Sequence, residues 1–358
     1  MRGIAFQEAE TADIINIKNG ILSINETGSV QLLPHSEKII SFKQFNAVYN
    51  PEAKCELLIE SLNKWFSNDK EQLDLFKQLL GYLLMNHVDY HKIFFFIGKP
   101  STGKSCALNL IVLFCGKENI STVSLTDLNG NFSLENIVNK TANIFGDISN
   151  KKILESETFK SLADGSGIDI KRKYKTAITN YQFTGKMIFG MNQFPDMSSD
   201  FEGVTRRIAI FSFEHLFKKD DNDFNPHIVS DLSTPECMSV MLNMAIEGYI
   251  SLIVNKGFIS TKENDKAIKE FTMQNDNILQ WIDVCEITED YLLHEPIKFD
   301  HGGSYINYKE FCFGIGEDPK TQAAFSTYMK NKYNFGIKRT RISGIKGKDN
   351  RTQMFFKK

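Results

Sequence analysis

The feature that most constrains the fold of this chain is a glycine-rich loop, residues 98–105, that lies between two apolar segments. The loop reads GKPSTGKS and matches the pattern G-x-x-x-x-G-K-[ST] at every fixed position. Residues 92–98, KIFFFIG, form a continuous apolar run typical of a strand buried on both faces, and residues 105–114 predict an apolar helix. This order of strand, loop and helix predicts an α/β domain that binds a nucleoside triphosphate, and it argues against a chance match.

The residue types in the glycine-rich loop have separate roles in such a site. Gly98 and Gly103 let the backbone curl until successive N–H groups point at an anion. We expect Lys104 to hold the β- and γ-phosphates and Ser105 to be a Mg²⁺ ligand. The predicted cofactors are therefore ATP and Mg²⁺. The predicted contacts to the nucleotide are Gly98, Lys99, Pro100, Ser101, Thr102, Gly103, Lys104 and Ser105.

Polar residues after two other apolar stretches are candidates for the rest of an ATP-hydrolysing site. Asp147 follows a strand predicted over 142–145 and is the candidate second residue of the Mg²⁺ site, with a solvated turn aspartate as the alternative. Asn192 follows a strand predicted over 186–191 and is the candidate contact to the γ-phosphate or the attacking water. For Asn192 the alternative is a turn residue before Pro195.

The carboxylate that would orient the attacking water is not identified by the sequence. Gly146 stands before Asp147, where many such sites carry a second acid. Glu155 and Glu157 lie downstream but have the position of carboxylates at the start of a helix. This catalytic role therefore stays open.

Two adjacent arginines, Arg206 and Arg207, begin a further apolar strand predicted over 207–213. Arginines buried without a partner are costly. One of the two is therefore expected to project toward a nucleotide held by a neighbouring subunit. The alternative is a pair of surface arginines.

The charges are segregated along the chain, although 42 Lys+Arg against 44 Asp+Glu give a net charge of only −2. A basic segment between Asp147 and Asn192 fits a hairpin that follows a nucleic-acid backbone and stacks on a base, although most charge runs are only solvated faces. Its residues are Lys171, Arg172, Lys173, Tyr174 and Lys175.

A second basic segment begins at about residue 301. There, two predicted helices and a hairpin suggest a winged helix, with a packing module as the alternative. The predicted DNA contacts in its wing are Lys338, Arg339, Arg341, Lys346 and Lys348.

Five motifs in order resemble those of superfamily 3 helicases: GKPSTGKS, FGDIS, FKSLADGSGIDIKRKYK, FGMNQFPD and RRIAIFSF. The likeness extends over about residues 14–258 and is strongest to the phage, plasmid and poxvirus primase-helicases. A looser likeness is to replication proteins of staphylococcal mobile islands. The resemblance implies an AAA+-type ATPase ring, usually a hexamer, that moves on single-stranded DNA. It also implies that Asn192 is a sensor residue and that the arginine acting between subunits is Arg207, or less favourably Arg206.

The fold class predicted from these observations is α/β, with an AAA+-like P-loop ATPase core, a helical N-terminal region and a C-terminal winged-helix domain. The predicted parts are an N-terminal β-hairpin and helical region (1–88), the ATPase core (89–260), a helical connector (261–300) and a basic DNA-binding domain (301–358). This leaves no room for a primase, so the resemblance implies either a short family member or part of a longer one.

The predicted function is an ATP-dependent replicative DNA helicase of a phage or mobile element. The alternative is an ATP-switched initiator that binds an origin without processive unwinding; a metabolic P-loop kinase would need neither the basic segments nor the paired arginines. The expected partners are single-stranded DNA, forked or origin duplex DNA, further copies of the chain in a hexamer, and a primase or host replication proteins. The six cysteines lack metal-site spacing and are expected to be free thiols. With no apolar run near 20 residues, the expected location is cytoplasmic, away from membranes.

Overall fold

The chain divides into two units, Met1–Lys269 and Glu270–Lys358, in the computed structural model. The four-part division predicted from the sequence stays a prediction. The residues that the structure describes are 14–25, 28–37, 39, 41, 43–130, 132–148, 156–195, 201–221, 224–285, 303–333, 335–341 and 351–357.

The first unit begins with a small antiparallel sheet followed by two helices. The strands are β1 (Ile15–Ile17), β2 (Gly20–Ile24) and β3 (Val30–Leu33), and the helices are α1 (Glu56–Trp65) and α2 (Lys70–Leu84). Alternating isoleucines around Asn19-Gly20 predict a hairpin, and the pairing of β1 with β2 confirms it. The sequence also predicts Asp69 as a helix N-cap. This is confirmed for α2, because the Asp69 carboxylate accepts hydrogen bonds from the N–H groups of Glu71 and Gln72.

A parallel sheet with helices around it forms the centre of the first unit, which confirms the predicted α/β class. The remaining strands of this unit are β4 (Ile93–Ile97), β5 (Ile120–Ser121), β6 (Ala142–Ile148), β7 (Ile168–Arg172), β8 (Lys175–Tyr181), β9 (Lys186–Met191) and β10 (Ile208–Ser212). Strands β7 and β8 pair with each other in an antiparallel hairpin. The other five form the parallel sheet, in the order β10-β4-β9-β6-β5.

Strand β4 occupies residues 93–97 of the predicted apolar run, and β9 has its predicted bounds, whereas β5 and β6 differ from the predictions. The sequence also predicts a strand over 121–125. The observed β5 ends at Ser121, because the backbone of Val123 is bonded to a side chain instead of a neighbouring strand. The Asn143 amide accepts from the Val123 N–H at 2.7 Å and donates to the Val123 carbonyl at 2.9 Å. Strand β6 continues past its predicted end to Ile148, with a register shift against β9 on the way.

Six helices complete the described part of the first unit or begin in it. They are α3 (Lys104–Cys115), α4 (Ser156–Asp164), α5 (Phe201–Thr205), α6 (Ile228–Asp231), α7 (Pro235–Asn255) and α8 (Lys262–Asn275). Thr234 followed by Pro235 predicts the start of a helix, and α7 begins there, with Thr234 as its N-cap and Pro235 in the first turn. Among the described residues, α7 is the one helix long and apolar enough to cross a membrane. Since 67% of its apolar window is buried inside the protein, it fits a core helix equally well.

Helices α2 and α7 cross closely because a glycine on each removes the side chain at the contact. A Cβ atom at Gly248 would overlap the Lys77 carbonyl, and one at Gly81 would overlap the Tyr249 backbone. The Lys77 ammonium also lies 2.9 Å from the Glu247 carboxylate beside this crossing. This close contact packs α2, which precedes the central sheet in the sequence, against α7, which follows it.

The second unit contains three described helices beyond α8 and one hairpin. Its elements are α9 (Asn277–Val284), α10 (Gly303–Gly314), α11 (Gln322–Tyr333), β11 (Phe335–Arg341) and β12 (Arg351–Lys357). Trp281, Tyr308 and Phe325 form its buried aromatic core, with the last two rings stacked at 4.8 Å. Two helices followed by an antiparallel hairpin agree with the predicted order of elements, and the winged-helix assignment stays a prediction.

Apolar spacing predicts a single helix over 271–285. This prediction is wrong, because one helix, α8, ends at Asn275 and another, α9, begins at Asn277. The Asp276 carboxylate accepts hydrogen bonds from the N–H groups of Ile278 and Leu279 and so starts a new helix. Apolar spacing continues across this break, which is why the sequence pattern did not show it.

The expectation that all six cysteines are free thiols is also wrong. Cys55, just before α1, and Cys237, in the first turn of α7, form a disulfide with their Cα atoms 5.2 Å apart. They lie 182 residues apart in the sequence, so spacing alone gave no sign of the pair. The described free cysteines are Cys106, Cys115, Cys285 and Cys312.

We expect Gly248→Ala to lower the free energy of unfolding by about 1–3 kcal/mol, because the added methyl group forces α2 and α7 apart. Urea unfolding followed by circular dichroism measures this. Val254→Ala is the matched control on the same helix: Val254 is 70% exposed, so its truncation should change stability by less than about 0.5 kcal/mol. Equal effects of the two substitutions would contradict the packing account.

Candidate functional site

The ends of three neighbouring strands form one edge of the parallel sheet. Strand β4 pairs with β9, and β9 pairs with β6, all in parallel. The segments that leave their carboxyl ends therefore start side by side: Gly98 after β4, Asn192 after β9 and the end of β6 with Asp147. The structure thus places the glycine-rich loop, Asp147 and Asn192, all predicted from the sequence, at one edge of the sheet.

The glycine-rich loop leaves β4 at this edge and turns directly into α3. Gly103 has φ +91°, a left-handed conformation that favours glycine. A Cβ atom on Gly103 would lie 2.5 Å from Cδ1 of Trp65, so the indole ring of α1 packs against the loop. The Phe217 N–H donates to the Ser101 carbonyl at 2.9 Å, which adds a contact from the segment after β10.

Lys104 is the first residue of α3 and is only 8% exposed. Its ammonium donates hydrogen bonds to the carbonyls of Gly98 at 2.5 Å and Lys99 at 2.7 Å, and so lies inside the curve of the loop. Thr102 is buried and donates through its hydroxyl to the same Lys99 carbonyl. Ser105, the candidate Mg²⁺ ligand, is exposed at the start of the helix.

Asp147 and Asn192 lie on the same sheet edge as the loop. Asp147 is within β6, one residue before Ile148, which pairs with Met191 at the end of β9. Its side chain lies outside the described part of the structure. Asn192 is the next residue after β9 and is exposed. Glu155 lies outside the described residues, and Glu157 is in the first turn of α4, as expected of a helix-start carboxylate.

A cavity of about 330 Å³ opens beside the glycine-rich loop, and sequence reasoning did not anticipate it. Its walls come from the loop and α3, from α1, and from the segment between β10 and α6. Apolar groups dominate between β10 and α6, whereas the α1 side also carries Glu60, Ser61 and Lys64. The residues on which its character depends are Trp65, Ser61, Cys106, Phe217, Asn225 and Ile228.

The basic segment forms the predicted hairpin, β7–β8, with Lys173 and Tyr174 at its tip. Tyr174 is 94% exposed, and its φ of +59° is uncommon for a residue with a side chain. The Lys173 ammonium lies 5.3 Å from the centre of the Tyr174 ring. At the flanks, Arg172 donates to the Thr176 carbonyl and Lys175 lies 3.6 Å from Glu135.

Arg206 and Arg207 lie at the opposite edge of the sheet from the glycine-rich loop. The Arg207 carbonyl accepts a hydrogen bond from the N–H of Ile93, the first residue of β4. Five residues of strand therefore separate the arginines from the loop, or roughly 16 Å at about 3.3 Å per residue. Arg206 is exposed, and its carbonyl accepts from the Lys92 ammonium at 2.8 Å.

Arg207 differs from its neighbour because its guanidinium is buried and already paired. It lies 3.1 Å from the Asp164 carboxylate and donates to the Gly203 carbonyl at 2.7 Å. Asp164 ends α4, just before the hairpin begins. The assignment of Arg207 as the arginine that acts between subunits stays a prediction. Its guanidinium is engaged within its own chain, whereas Arg206 is exposed.

The candidate DNA contacts of the C-terminal wing are only partly placed. Lys338, Arg339 and Arg341 lie on β11, with side chains outside the described part. Lys346 and Lys348 lie outside the described residues altogether. Within the described part of the chain, no group of three or more His, Cys, Asp or Glu residues has the geometry of a metal site.

Comparisons with known proteins extend the picture of the fold. The model of DUF5906, a family of unknown function, matches residues 96–207, which include the glycine-rich loop, Asp147, Asn192 and both arginines. No curated protein matches the chain. The chain is similar to the A form apo structure of the NrS-1 C terminal region, with a TM-score of 0.54 and 15% identity over 87% of this chain and 77% of that chain. Another apo structure of that region gives a TM-score of 0.49 and 14% identity over 96% and 95% of the two chains. These likenesses concern the fold alone.

Two contributors to the site have no signal in the sequence pattern. Trp65 belongs to the apolar face of α1, and nothing in its spacing indicates contact with Gly103. Asp164 is one of four acids between residues 155 and 169. Only the three-dimensional pairing with Arg207 distinguishes it.

The Asp164–Arg207 pair makes the stability of the first unit depend on pH. Burial tends to raise the pKa of the Asp164 carboxyl, but hydrogen bonds from Ser166 and the ion pair with Arg207 outweigh it and hold the pKa below its ordinary value. A lowered pKa stabilises the fold above the ordinary carboxyl pKa of about 3.9, and this contribution disappears as the pH falls through the lower folded value.

We therefore expect Asp164→Asn to lower the free energy of unfolding at pH 7 by about 1–3 kcal/mol, because it leaves a buried guanidinium without its anion. The difference from the unsubstituted protein should shrink as the pH falls from about 4 to 3. Chemical unfolding at each pH measures it. The control is Asp74→Asn, at an exposed pair with 3.7 Å between Asp74 and Lys77, where the effect should stay below about 0.5 kcal/mol. A penalty for Asp164→Asn that is constant from pH 7 to pH 3 would refute this account.

Proposed function

We propose that this chain is an ATP hydrolase of the superfamily 3 helicase type, which moves along single-stranded DNA as a ring of subunits during replication. The observation that carries the proposal is the convergence at one sheet edge of the glycine-rich loop, with Lys104 inside its curve, and the two segments bearing Asp147 and Asn192. Three separate stretches of sequence contribute to one edge, which chance placement of a single motif would not produce.

The donor groups of this edge fit a magnesium–triphosphate. The loop offers backbone N–H groups on a curve that requires glycine at position 103, and Lys104 supplies a buried cation. Ser105 and Asp147 supply the oxygen ligands that Mg²⁺ prefers. Mg²⁺, when bound, would draw electron density from the phosphate oxygens and ease attack at the γ-phosphorus.

The residues of the chain have distinct tasks in this proposal. The Lys104 ammonium leaves the carbonyls of Gly98 and Lys99 and neutralises the β- and γ-phosphates. The Asn192 amide orients the attacking water or contacts the γ-phosphate. The cavity beside the loop receives the base of the nucleotide, since it lies against the loop, is bounded by the Trp65 ring and has the aromatic ring of Phe217 in another wall.

The β7–β8 hairpin is the proposed contact to single-stranded DNA. Its tip presents a fully available aromatic ring, Tyr174, beside the cation of Lys173. A base can stack on such a ring while neighbouring cations contact phosphates, and neither interaction depends on the DNA sequence. Asp164, at the base of the hairpin, ties it through Arg207 to the start of β10. This tie offers a route by which changes at the sheet edge move the hairpin.

Arg206 is the proposed group that acts between subunits. It lies roughly 16 Å from the loop of its own chain, since the length of β4 separates them, and this exceeds the reach of an arginine side chain. It is exposed, so it is available to the nucleotide of an adjacent subunit. Arg207 instead holds this segment in place.

The direct test measures ATP hydrolysis with and without single-stranded DNA, together with strand separation on a forked duplex. We expect hydrolysis that DNA stimulates, and its loss by at least about 100-fold in Lys104→Ala, because the phosphates lose their cation. Hydrolysis that DNA does not stimulate, with no unwinding, would contradict a helicase. DNA binding switched by ATP without unwinding would instead indicate an initiator.

Substitution at the hairpin tip should separate DNA contact from nucleotide contact. We expect Tyr174→Ala to weaken single-stranded DNA binding by about 1–3 kcal/mol, the value of one stacked base, and to lower the DNA-stimulated part of hydrolysis. Fluorescence anisotropy with labelled oligonucleotides measures the binding. Lys117→Ala, an exposed cation outside the hairpin, is the control and should bind DNA as before. Unchanged affinity in Tyr174→Ala would exclude the hairpin tip as a contact.

Mixing two inactive variants tests the arrangement between subunits. Arg206→Ala and Lys104→Ala should each be inactive alone, since one lacks the arginine given to a neighbour and the other lacks the phosphate-binding cation. In a mixed ring, an Arg206→Ala subunit still has Lys104 in its glycine-rich loop, and a neighbouring Lys104→Ala subunit still has Arg206. Such a neighbouring pair forms one complete site, so ATP hydrolysis should partly return. If the mixture stays as inactive as its components, Arg206 does not act in trans.

A further inference from the structure

A second cavity, of about 260 Å³, lies at the amino edge of the parallel sheet, on the side away from the glycine-rich loop. Thr141, directly before β6, and Thr184, two residues before β9, line it on the side of the sheet. Asn16 of β1 and Lys43 line other sides, and the end of α2 closes it with apolar side chains. The volume is below the roughly 300–1,000 Å³ of pockets for drug-sized ligands, so it suits a smaller molecule.

Two polar groups in this cavity lack the partners that their burial calls for. The Thr141 side chain is 5% exposed, and its hydroxyl makes no hydrogen bond. Lys43 is half-buried, and among the described residues no carboxylate pairs with its ammonium. Burial also lowers the pKa of Lys43. A buried hydroxyl without a partner costs about 1–3 kcal/mol, so it marks a position where an acceptor would be stabilised.

The wall behind the cavity is electrostatically suited to an anion. The carbonyl end of α2 would repel negative charge, but the fully buried Lys186 neutralises it. The Lys186 ammonium donates to the carbonyls of Met85 at 2.6 Å, His87 at 2.9 Å and Thr184 at 2.8 Å. Met85 and Thr184 themselves line the cavity, and the described lining includes no Asp or Glu.

We propose that this cavity binds phosphate, either as the free ion or as the phosphate group of a small ester. Lys43 supplies the positive charge, the Thr141 hydroxyl donates to one oxygen, and the Asn16 amide has its nitrogen available for another. The Asn16 oxygen is already occupied, since it accepts from Gln44 at 3.2 Å and contacts His35. Three donors of different geometry match the several oxygens of phosphate better than the two of a carboxylate.

This site is independent of the proposed nucleotide site. The two lie at opposite edges of the sheet and share no lining residue. Binding here can therefore be measured in a protein whose glycine-rich loop has been disabled, and its failure would leave the proposed ATP hydrolysis untouched.

The test is isothermal titration of the full chain carrying Lys104→Ala with inorganic phosphate, with glycerol phosphate and with succinate. We expect one phosphate to bind per chain and succinate to bind at least 10-fold more weakly. Tighter binding of glycerol phosphate than of inorganic phosphate would identify an ester as the occupant, and the reverse would identify the free ion.

Three variants in the same background locate the site. Lys43→Met should weaken phosphate binding at least 10-fold and Thr141→Val about 5-fold, whereas Lys54→Met, at an exposed lysine, should leave it unchanged. Thr141→Val removes only a hydroxyl without a partner, so thermal unfolding without phosphate should occur at the same temperature or higher. No phosphate binding in the parent, equal binding in Lys43→Met, or preference for succinate would each overturn the proposal.

Discussion

The pairing of β4 with a parallel strand on each side is the constraint on which the rest of the structure depends. Phe94, Phe95 and Phe96 are fully buried, so β4 cannot leave the centre of the sheet without exposing three aromatic rings. Because the neighbouring strands run in the same direction as β4, the segments that follow these strands start at one edge of the sheet. The segments that lead into the strands end at the opposite edge. The glycine-rich loop and Asn192 share the first edge, and the paired arginines lie at the second.

Contacts to side chains far away in sequence connect this sheet to the parts around it. The Trp65 ring packs on Gly103, so a change in the conformation of the loop would shift its contact with helix α1. At the other edge, the Asp164–Arg207 ion pair joins the end of α4 to the start of β10 and holds the base of the hairpin. Because elements at both edges of the sheet contact its neighbours, a structural change on nucleotide binding at one edge can reach the β7–β8 hairpin. The proposed movement along DNA requires such a coupling.

The sequence predicted the features that depend on local chemistry. Strand β4, the glycine-rich loop, the Asp69 and Thr234 caps and the β7–β8 hairpin each follow from apolar spacing, capping residues or a short motif. Features that depend on distant partners could not be predicted this way. The Cys55–Cys237 disulfide and the shortened β5 are examples, because each is decided by a residue elsewhere in the chain. The adjacent residues Arg206 and Arg207 were predictable only in part. The sequence motif identified both arginines, but only the structure shows that Arg206 is exposed and that Arg207 is buried and paired with Asp164.

The central claim, that a nucleoside triphosphate binds at the loop edge of the sheet, is tested most directly through Trp65. The chain has two tryptophans, so Trp281→Phe leaves Trp65, beside the loop, as the single tryptophan, which is excited selectively over tyrosine at the long-wavelength edge of its absorption. Titration of this protein with MgATP should change the Trp65 emission in a saturable way, and adding Lys104→Ala should abolish the change. Emission that does not respond to MgATP, or that responds equally in the Lys104→Ala protein, would contradict the claim.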